Sequence, residues 1–192
     1  MLKAVIFDMD GGLIDSEPLH ARAAVHALKE LGIEITIDYA YQFIGNTTLY
    51  MLKTIERDFQ LDITAEELLL QYKKWERKLS AMEGYPAIPY IKELILDLHS
   101  HGMKLAIASS SPLEAIKETA DNLGITSYFT KLISGMSVPK SKPHPDIFLK
   151  AASELSVSVD ECLIIEDSTN GILAGVRANI PVIGFYNPHS GN

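Results

Sequence analysis

Short apolar runs alternate with amphipathic segments along most of the chain. Leu2 to Phe7 is an apolar run that stops at an acidic, glycine-containing segment, a pattern that predicts a buried strand followed by a turn. Similar runs recur at residues 103–108, 131–134, 162–165 and 181–185. Helical periodicity separates these runs, so the pattern predicts an α/β fold with a Rossmann-like parallel sheet and helices on both faces.

Helix signals flank the later runs. Segments with helical periodicity begin near Pro89, Pro145 and Ser168, and a further one follows Ser111. In that last segment Ser111 is the expected N-cap, because a proline follows it and a glutamate stands three residues later.

Residues 16–83 carry helical signals alone. Three apolar stripes with helical spacing occur there, and the third begins with a capping box formed by Thr64 and Glu67. We therefore predict an all-helical cap domain at residues 16–83, inserted into an α/β catalytic core made of residues 1–15 and 84–192. The two hinges are expected at the junctions of these segments.

Composition excludes several classes of partner. The net charge is −8 and no run of Lys or Arg occurs, which argues against nucleic acid and against anionic membranes. Cys162 is the only cysteine, so no internal disulfide is expected and a reducing compartment fits. We see no signal peptide and no apolar stretch of about 18 residues. The expectation is a cytoplasmic monomer that acts on a small molecule.

Polar side chains follow four of the predicted strands. They are Asp8 and Asp10 after the first, Ser109 to Ser111 after the second, Lys140 and Lys142 after the third, and Glu166, Asp167 and Ser168 after the fourth. In parallel sheets, ligands bind at the carboxyl ends of the strands. Carboxylates brought this close would repel each other unless a cation lay among them, and oxygen ligands suit Mg²⁺.

Asp8 and Asp10 are two residues apart at the end of a strand, so both can face the same side. One carboxylate can then act as nucleophile while the other exchanges protons. Any one of these residues alone could be a simple cap or turn residue. Their occurrence at four successive strand ends is what indicates catalysis.

Four segments resemble the motifs of the haloacid dehalogenase-like superfamily. They are residues 8–17, 107–111, 141–148 and 165–171, in the order in which that superfamily carries them. The resemblance is closest to the branch that contains β-phosphoglucomutase and sugar-phosphate phosphatases, which has a helical cap in the same place.

The resemblance implies a role for each matching residue. Asp8 would be the nucleophile and a Mg²⁺ ligand, and Asp10 the general acid/base with its backbone carbonyl on the metal. Lys142 would neutralise charge on Asp8 and on the phosphate. Glu166 and Asp167 would complete the metal site.

The resemblance also implies substrate contacts. Ser109 and the amide of Ser110 would hold the transferred phosphoryl group. His20 stands where a cap histidine of this branch approaches the general acid/base, and Thr47 lies in the cap segment that contacts substrate in the mutase.

The chain departs from the family pattern in two places. Gly12 stands where the family usually has an aliphatic residue. The sequence also stops soon after the fifth predicted strand, where relatives continue with a further strand and helix. We therefore expect either a trimmed chain or an unusual sheet edge.

These observations predict a Mg²⁺-dependent phosphatase that hydrolyses a small phosphorylated metabolite, a sugar phosphate, through an aspartyl-phosphate intermediate. One alternative is a phosphomutase of the β-phosphoglucomutase type, which needs an arginine for the second phosphate. Residues 43–48 contain no cation, which favours the phosphatase. The other alternative is a non-catalytic regulatory protein of the same fold, and the intact acidic residues and Lys142 argue against it.

Overall fold

The computed structural model describes residues 1–43 and 47–187. Five strands form one sheet: β1 (Ala4–Phe7), β2 (Lys104–Ser109), β3 (Lys131–Ser134), β4 (Cys162–Glu166) and β5 (Val182–Gly184). Their order is β3-β2-β1-β4-β5, and every neighbouring pair is parallel. The α/β fold with a parallel sheet is therefore confirmed, and β1 lies at its centre.

The chain divides into two compact units. The first, here called the sheet unit, contains residues 1–15 and the described residues from Pro86 onward. The second, here called the helical unit, contains the described residues between Ser16 and Tyr85. Its helices are α1 (Glu17–Lys29), α2 (Ile37–Tyr41), α3 (Thr48–Asp58) and α4 (Ala65–Glu83), and its described residues include no strand.

Helices cover both faces of the sheet. The sheet unit contains α5 (Ile91–Ser100), α6 (Leu113–Asn122), α7 (Asp146–Leu155) and α8 (Thr169–Arg177). Side chains of α7 and α8 pack on one face, where Phe148 and Ala174 join a buried cluster with Ile6 and Ile164. Successive strand residues point to opposite faces, and the alternate residues such as Phe7 are equally buried. Burial on both faces explains the nearly continuous apolar strands.

The helical unit has its own core. Leu19 and Leu28 of α1, Leu52 of α3, and Leu68 and Tyr72 of α4 belong to one buried cluster. The capping box at the start of α4 is confirmed. Thr64 Oγ1 accepts from the backbone N–H of Glu67 (3.3 Å), and the Glu67 carboxylate accepts from the backbone N–H of Thr64 (3.0 Å). No helix in the described parts of the chain is long and apolar enough to cross a membrane.

Two local features differ from the sequence-based expectation. Helix α6 begins at Leu113, and Pro112 occupies its N-cap position without a side-chain hydrogen bond, so the prediction of Ser111 as N-cap was wrong. The physical reason is that the Ser111 hydroxyl donates to Asp10 instead (3.1 Å). Helix α2 was not predicted, because a five-residue helix with one buried residue has too little periodicity to detect.

Candidate active site

Asp8 follows the central strand directly and is 5% exposed. Its backbone N–H donates to the carbonyl of Ile165 (2.9 Å), which continues the pairing of β1 with β4. The loop after it is tightly folded, because the N–H groups of Leu13 and Ile14 both donate to the carbonyl of Met9 (2.9 and 3.0 Å). The backbone therefore fixes the position of the Asp8 carboxylate.

Lys142 lies between two carboxylates. Its Nζ is 2.5 Å from Asp8 Oδ1 and 2.7 Å from Glu166 Oε1, and it also donates to the carbonyl of Ala108 (3.3 Å). The ammonium group has three donors, so each of them has an acceptor. Burial opposes the charged form, but the Asp8 and Glu166 carboxylates outweigh it and raise the pKa of Lys142. The ammonium group is therefore held charged in a buried position.

The Asp8 carboxyl experiences opposing influences. Burial raises its pKa, Lys142 acts in the opposite direction, and the charges of Glu166 and Asp10 raise the pKa further. The net shift is upward, so one ammonium group does not fully offset burial beside two other acids. A further cation near Asp8 would favour its ionised, nucleophilic form.

Hydroxyl groups from the end of β2 hold Asp10. Ser111 Oγ donates to Asp10 Oδ2 (3.1 Å), Ser109 Oγ lies at 3.4 Å from the same oxygen, and the backbone N–H of Ser111 donates to Ser109 Oγ (3.0 Å). The structure thus brings the predicted residues Ser109 and Asp10 together, whereas Ser110 is exposed. Ser111 was expected at this strand end but was assigned no role there, and its hydrogen bond to Asp10 supplies one.

Glu166 is completely buried and fixed from several sides. Its Oε2 accepts from the backbone N–H of Ser168 (2.7 Å) and from Ser168 Oγ (3.0 Å). Gly171 lies directly against the carboxylate, since a Cβ added there would be 1.5 Å from Oε1. Ser168 was likewise expected at the end of the fourth strand without an individual role, and its two hydrogen bonds to Glu166 supply one.

Asp167 points toward the loop after β1. It is 4% exposed, and a Cβ added to Gly11 would lie 1.9 Å from its Oδ2. Gly11 has φ +90°, a left-handed conformation that glycine adopts without strain. Only glycine at this position therefore allows both the turn and the approach of the Asp167 carboxylate.

The donor set can be compared with the requirements of Mg²⁺. No cluster of three or more Asp, Glu, His or Cys side chains suited to a metal ion occurs among residues 1–43 and 47–187. Mg²⁺ does not need such a cage, because it typically takes one or two carboxylates together with waters and substrate oxygens. The buried carboxylates of Asp8 and Asp167 meet this requirement at adjacent strand ends, so the residues fit Mg²⁺.

His20 lies in the helical unit, within a network of polar side chains. Its Nδ1 is 2.8 Å from the hydroxyl of Tyr72 and 3.2 Å from Glu76 Oε1. Burial, together with the charge of Glu76, raises the pKa of Tyr72, so its phenol stays protonated. The network connects α1 to α4 through His20.

Thr47 has a structural contact in the same unit. Its Oγ1 accepts from the backbone N–H of Tyr50 (3.2 Å), which makes Thr47 the N-cap of α3. The absence of a cation from residues 43–48 is what favours a phosphatase over a mutase. Residues 44–46 of that segment lie outside the described residues.

The comparisons with known proteins agree on one family. A family profile described as haloacid dehalogenase-like hydrolase matches residues 5–185. Hexitol phosphatase B of Escherichia coli K12 is 30% identical over 98% of this chain and 86% of its own length. The chloroplastic protein SUPPRESSOR OF QUENCHING 1 of Arabidopsis thaliana is 33% identical over 95% of this chain, which spans only 18% of that protein.

Solved structures show the same similarity. The crystal structure of a putative β-phosphoglucomutase from Thermotoga maritima superposes with a TM-score of 0.85 at 27% identity. The match covers 95% of this chain and 85% of that one.

Proposed function

The chain belongs to the haloacid dehalogenase-like hydrolase family, as its four motifs predicted, and on that premise we propose that it is a phosphoric monoester hydrolase. Its substrate would be a small phosphorylated metabolite, a sugar phosphate. The observation that carries the proposal is the buried Asp8 carboxylate at the end of the central strand, 2.5 Å from the ammonium group of Lys142. A relative named hexitol phosphatase supports the same reaction.

In this proposal Asp8 is the nucleophile. One carboxylate oxygen of Asp8 attacks phosphorus, the bond to the leaving oxygen breaks, and an aspartyl phosphate forms. Water then attacks that phosphorus, which returns the carboxylate and releases inorganic phosphate. Lys142 offsets negative charge on Asp8 and on the phosphoryl oxygens during both steps.

Asp10 is proposed to transfer the protons. It would donate a proton to the leaving oxygen in the first step and accept one from water in the second. The Ser109 and Ser111 hydroxyl groups lie within hydrogen-bonding reach of its Oδ2, which limits the positions that the carboxylate can take. Ser109 and the amide of Ser110 would bind the phosphoryl oxygens.

Mg²⁺ is the proposed cofactor, held by Asp8, the backbone carbonyl of Asp10 and Asp167. When bound, the ion would draw negative charge from the phosphate and keep Asp8 ionised. The fit of these donors to Mg²⁺ supports the assignment, as described above.

We propose that residues 16–83 act as a cap that selects the substrate, with His20 and Thr47 as substrate contacts. Residues 43–48 carry no cation that could grip a second phosphate. A mutase needs such a grip, because its bisphosphorylated intermediate must be held at either end, and arginine provides it through a bidentate fork. Hydrolysis is therefore the expected outcome.

A screen of phosphorylated metabolites for release of inorganic phosphate tests the proposal. Release is expected from several monophosphates with Mg²⁺, is expected to stop with a chelator, and is expected to be weak with Ca²⁺, which prefers more ligands at longer distances. Asp8→Asn is the negative control. Efficient conversion of β-glucose 1-phosphate to glucose 6-phosphate without phosphate release would contradict the proposal.

A further inference from the structure

Ser134, the last residue of β3, makes a hydrogen bond to the segment that follows β2. Its Oγ donates to the backbone carbonyl of Ser111 (2.7 Å) and accepts from the backbone N–H of Met136 (3.2 Å). The residue is only 5% exposed. A hydroxyl group has a single proton to donate, so the bond from Met136 helps to direct that proton toward Ser111.

The sheet sets the position of Ser134. It pairs with Ser109 in the register of β3 against β2. The next residue, Gly135, lies directly against the segment after β2, because a Cβ added to it would be 3.1 Å from the Cα of Ser110. Two backbone segments packed this closely leave residues 109–111 little room to shift toward β3.

Ser111 connects Ser134 to the proposed acid/base residue. The carbonyl of Ser111 accepts from Ser134, and the Ser111 hydroxyl donates to Asp10 Oδ2 (3.1 Å). The backbone N–H of Ser111 donates to Ser109 Oγ (3.0 Å), which lies 3.4 Å from the same Asp10 oxygen. The direction of the Ser111 hydroxyl therefore depends on a backbone that Ser134 holds.

The proposed reaction makes that direction important. Asp10 is proposed to give a proton to the leaving oxygen and to take one from water, so its carboxylate must stay within hydrogen-bonding distance of the reacting groups. A displacement of about 1 Å in such a group can lower the rate about a hundredfold. The hydrogen bond from Ser111 restricts Asp10 only if Ser111 is itself fixed.

We infer that Ser134 is a positioning residue that fixes Ser111 and, through the Ser111 hydroxyl, the carboxylate of Asp10. This inference deepens the proposed function and rests on it. The end of β3 would then support the proton-transferring group at the end of β1 by way of a residue that follows β2. Ser134 acts on Ser111 and not on the substrate.

Ser134→Ala in the full chain removes the hydroxyl that holds Ser111. With a substrate found in the screen, it should lower kcat about three- to tenfold, the effect expected for one hydrogen bond. The value of kcat/KM should fall by the same factor, because the affected group acts in the transition state.

Ser137→Ala is the matched control. The Ser137 hydroxyl belongs to the same turn, but it donates to the carbonyl of Ser134 (2.6 Å) and accepts from Lys150 Nζ (2.9 Å). The pairing of β3 with β2 remains in this variant, so it should keep the wild-type kcat. Equal losses of kcat in Ser134→Ala and Ser137→Ala would overturn the inference.

A double-mutant cycle with Ser111→Ala shows whether Ser134 acts through Ser111. Ser134→Ala should lower kcat in the wild-type background but not in Ser111→Ala, where the hydroxyl that reaches Asp10 is already gone. Independent effects would instead multiply. A full loss of kcat on adding Ser134→Ala to Ser111→Ala would therefore overturn the inference.

Crystal structures provide a readout that needs no turnover. In the wild type and in Ser137→Ala, Ser111 Oγ should lie within hydrogen-bonding distance of Asp10, and in Ser134→Ala it should lie beyond that distance. A Ser111 hydroxyl turned away from Asp10 in the wild type would overturn the inference, as would an unchanged bond in Ser134→Ala. Absence of phosphate release would instead count against the proposed function, and the crystal structures would still decide the role of Ser134.

Discussion

Gly11 occupies a position where a methyl group would overlap the Asp167 carboxylate. We predict that Gly11→Ala displaces Asp167 and weakens Mg²⁺ binding and activity together. Gly102→Ala is the matched control, because Gly102 has a similar positive φ of +75° but no atom within 4 Å of an added Cβ. Both variants should lose about 1 kcal/mol of stability from backbone strain. Urea denaturation and Mg²⁺ titration measure the two effects, and equal Mg²⁺ affinity in both variants would refute the steric argument.

Asp8 and Asp10 should respond differently to the loss of their charge. Asp8→Asn should abolish phosphate release, because an amide cannot form the acyl phosphate. Asp10→Asn should retain the fold and lose roughly 10² to 10⁴ in rate, the usual contribution of general acid–base catalysis. Steady-state kinetics with circular dichroism as a folding control checks both. Near-normal turnover by Asp8→Asn would rule out its role as nucleophile.

For single residues, the sequence predicted where the charged groups of the site lie better than it predicted which side chains form hydrogen bonds with them. The contact of Lys142 with Asp8 follows from the strand-end argument, because the carboxyl ends of parallel strands share one edge. The contacts of Ser111 and Ser168 do not follow from it, since each depends on a side-chain direction that the local backbone sets. Ser111 resembles a helix cap in sequence, yet Pro112 takes the cap position and leaves the hydroxyl free to bind Asp10.

Helix α4 offers a test at the scale of one element. Thr64→Ala removes the side-chain oxygen that caps the N-terminus of α4 and should lower the free energy of unfolding by about 1 kcal/mol. Thr64→Ser keeps the oxygen and serves as the control. Urea denaturation followed by circular dichroism measures both variants, and equal destabilisation would show that the capping bond contributes nothing.

An ion pair links β1 to the segment that enters β4. Lys3 Nζ is 2.6 Å from Glu161 Oε1, and hydrogen bonds from Lys3 and Ser158 lower the pKa of Glu161 to about 2 from its model-compound value of 4.5. Because the folded pKa is the lower one, the pair stabilises the fold above about pH 4.5 and loses this effect as the pH falls toward 2.

Glu161→Gln should therefore be less stable than the wild type at pH 6, and the difference should shrink as the pH drops below 4.5. Thermal unfolding of both proteins at a series of pH values measures it. The pair is exposed to solvent on the Lys3 side, so the difference should also shrink in high salt. A difference that does not change with pH would contradict the assigned pKa.

Periodicity predicted the strands and the longer helices, and their ends were less well placed. The run at 131–134 coincides with β3, whereas the run at 181–185 is shortened to Val182–Gly184. Both strands lie at edges of the sheet and pair on one side only, so edge position does not account for the difference. Sequence patterns report burial, and burial alone does not determine how far a ladder of hydrogen bonds extends.

For the whole molecule, the alternation of strands and helices was enough to predict a parallel sheet. It was not enough to predict the order β3-β2-β1-β4-β5, because alternation alone does not say which strand is central. In this order β2 and β3 are added one after the other on one side of β1. The chain then crosses to the other side of β1, where it adds β4 and β5. The carboxyl edge beside β1, where that direction changes, is where the candidate site lies.

The central position of β1 also determines the order in which the molecule can fold as it is synthesised. β1 leaves the ribosome first, but its partners are residues 104–107 and 162–165, so most of the chain must be made before its second edge is paired. The helical unit is continuous between residues 16 and 85 and makes its contacts long before that. Limited proteolysis of stalled nascent chains should therefore show protection of the helical unit well before protection of the sheet. Until β2 emerges, the apolar strand β1 has no strand partner, and its second edge stays open to chaperones and proteases until β4 emerges.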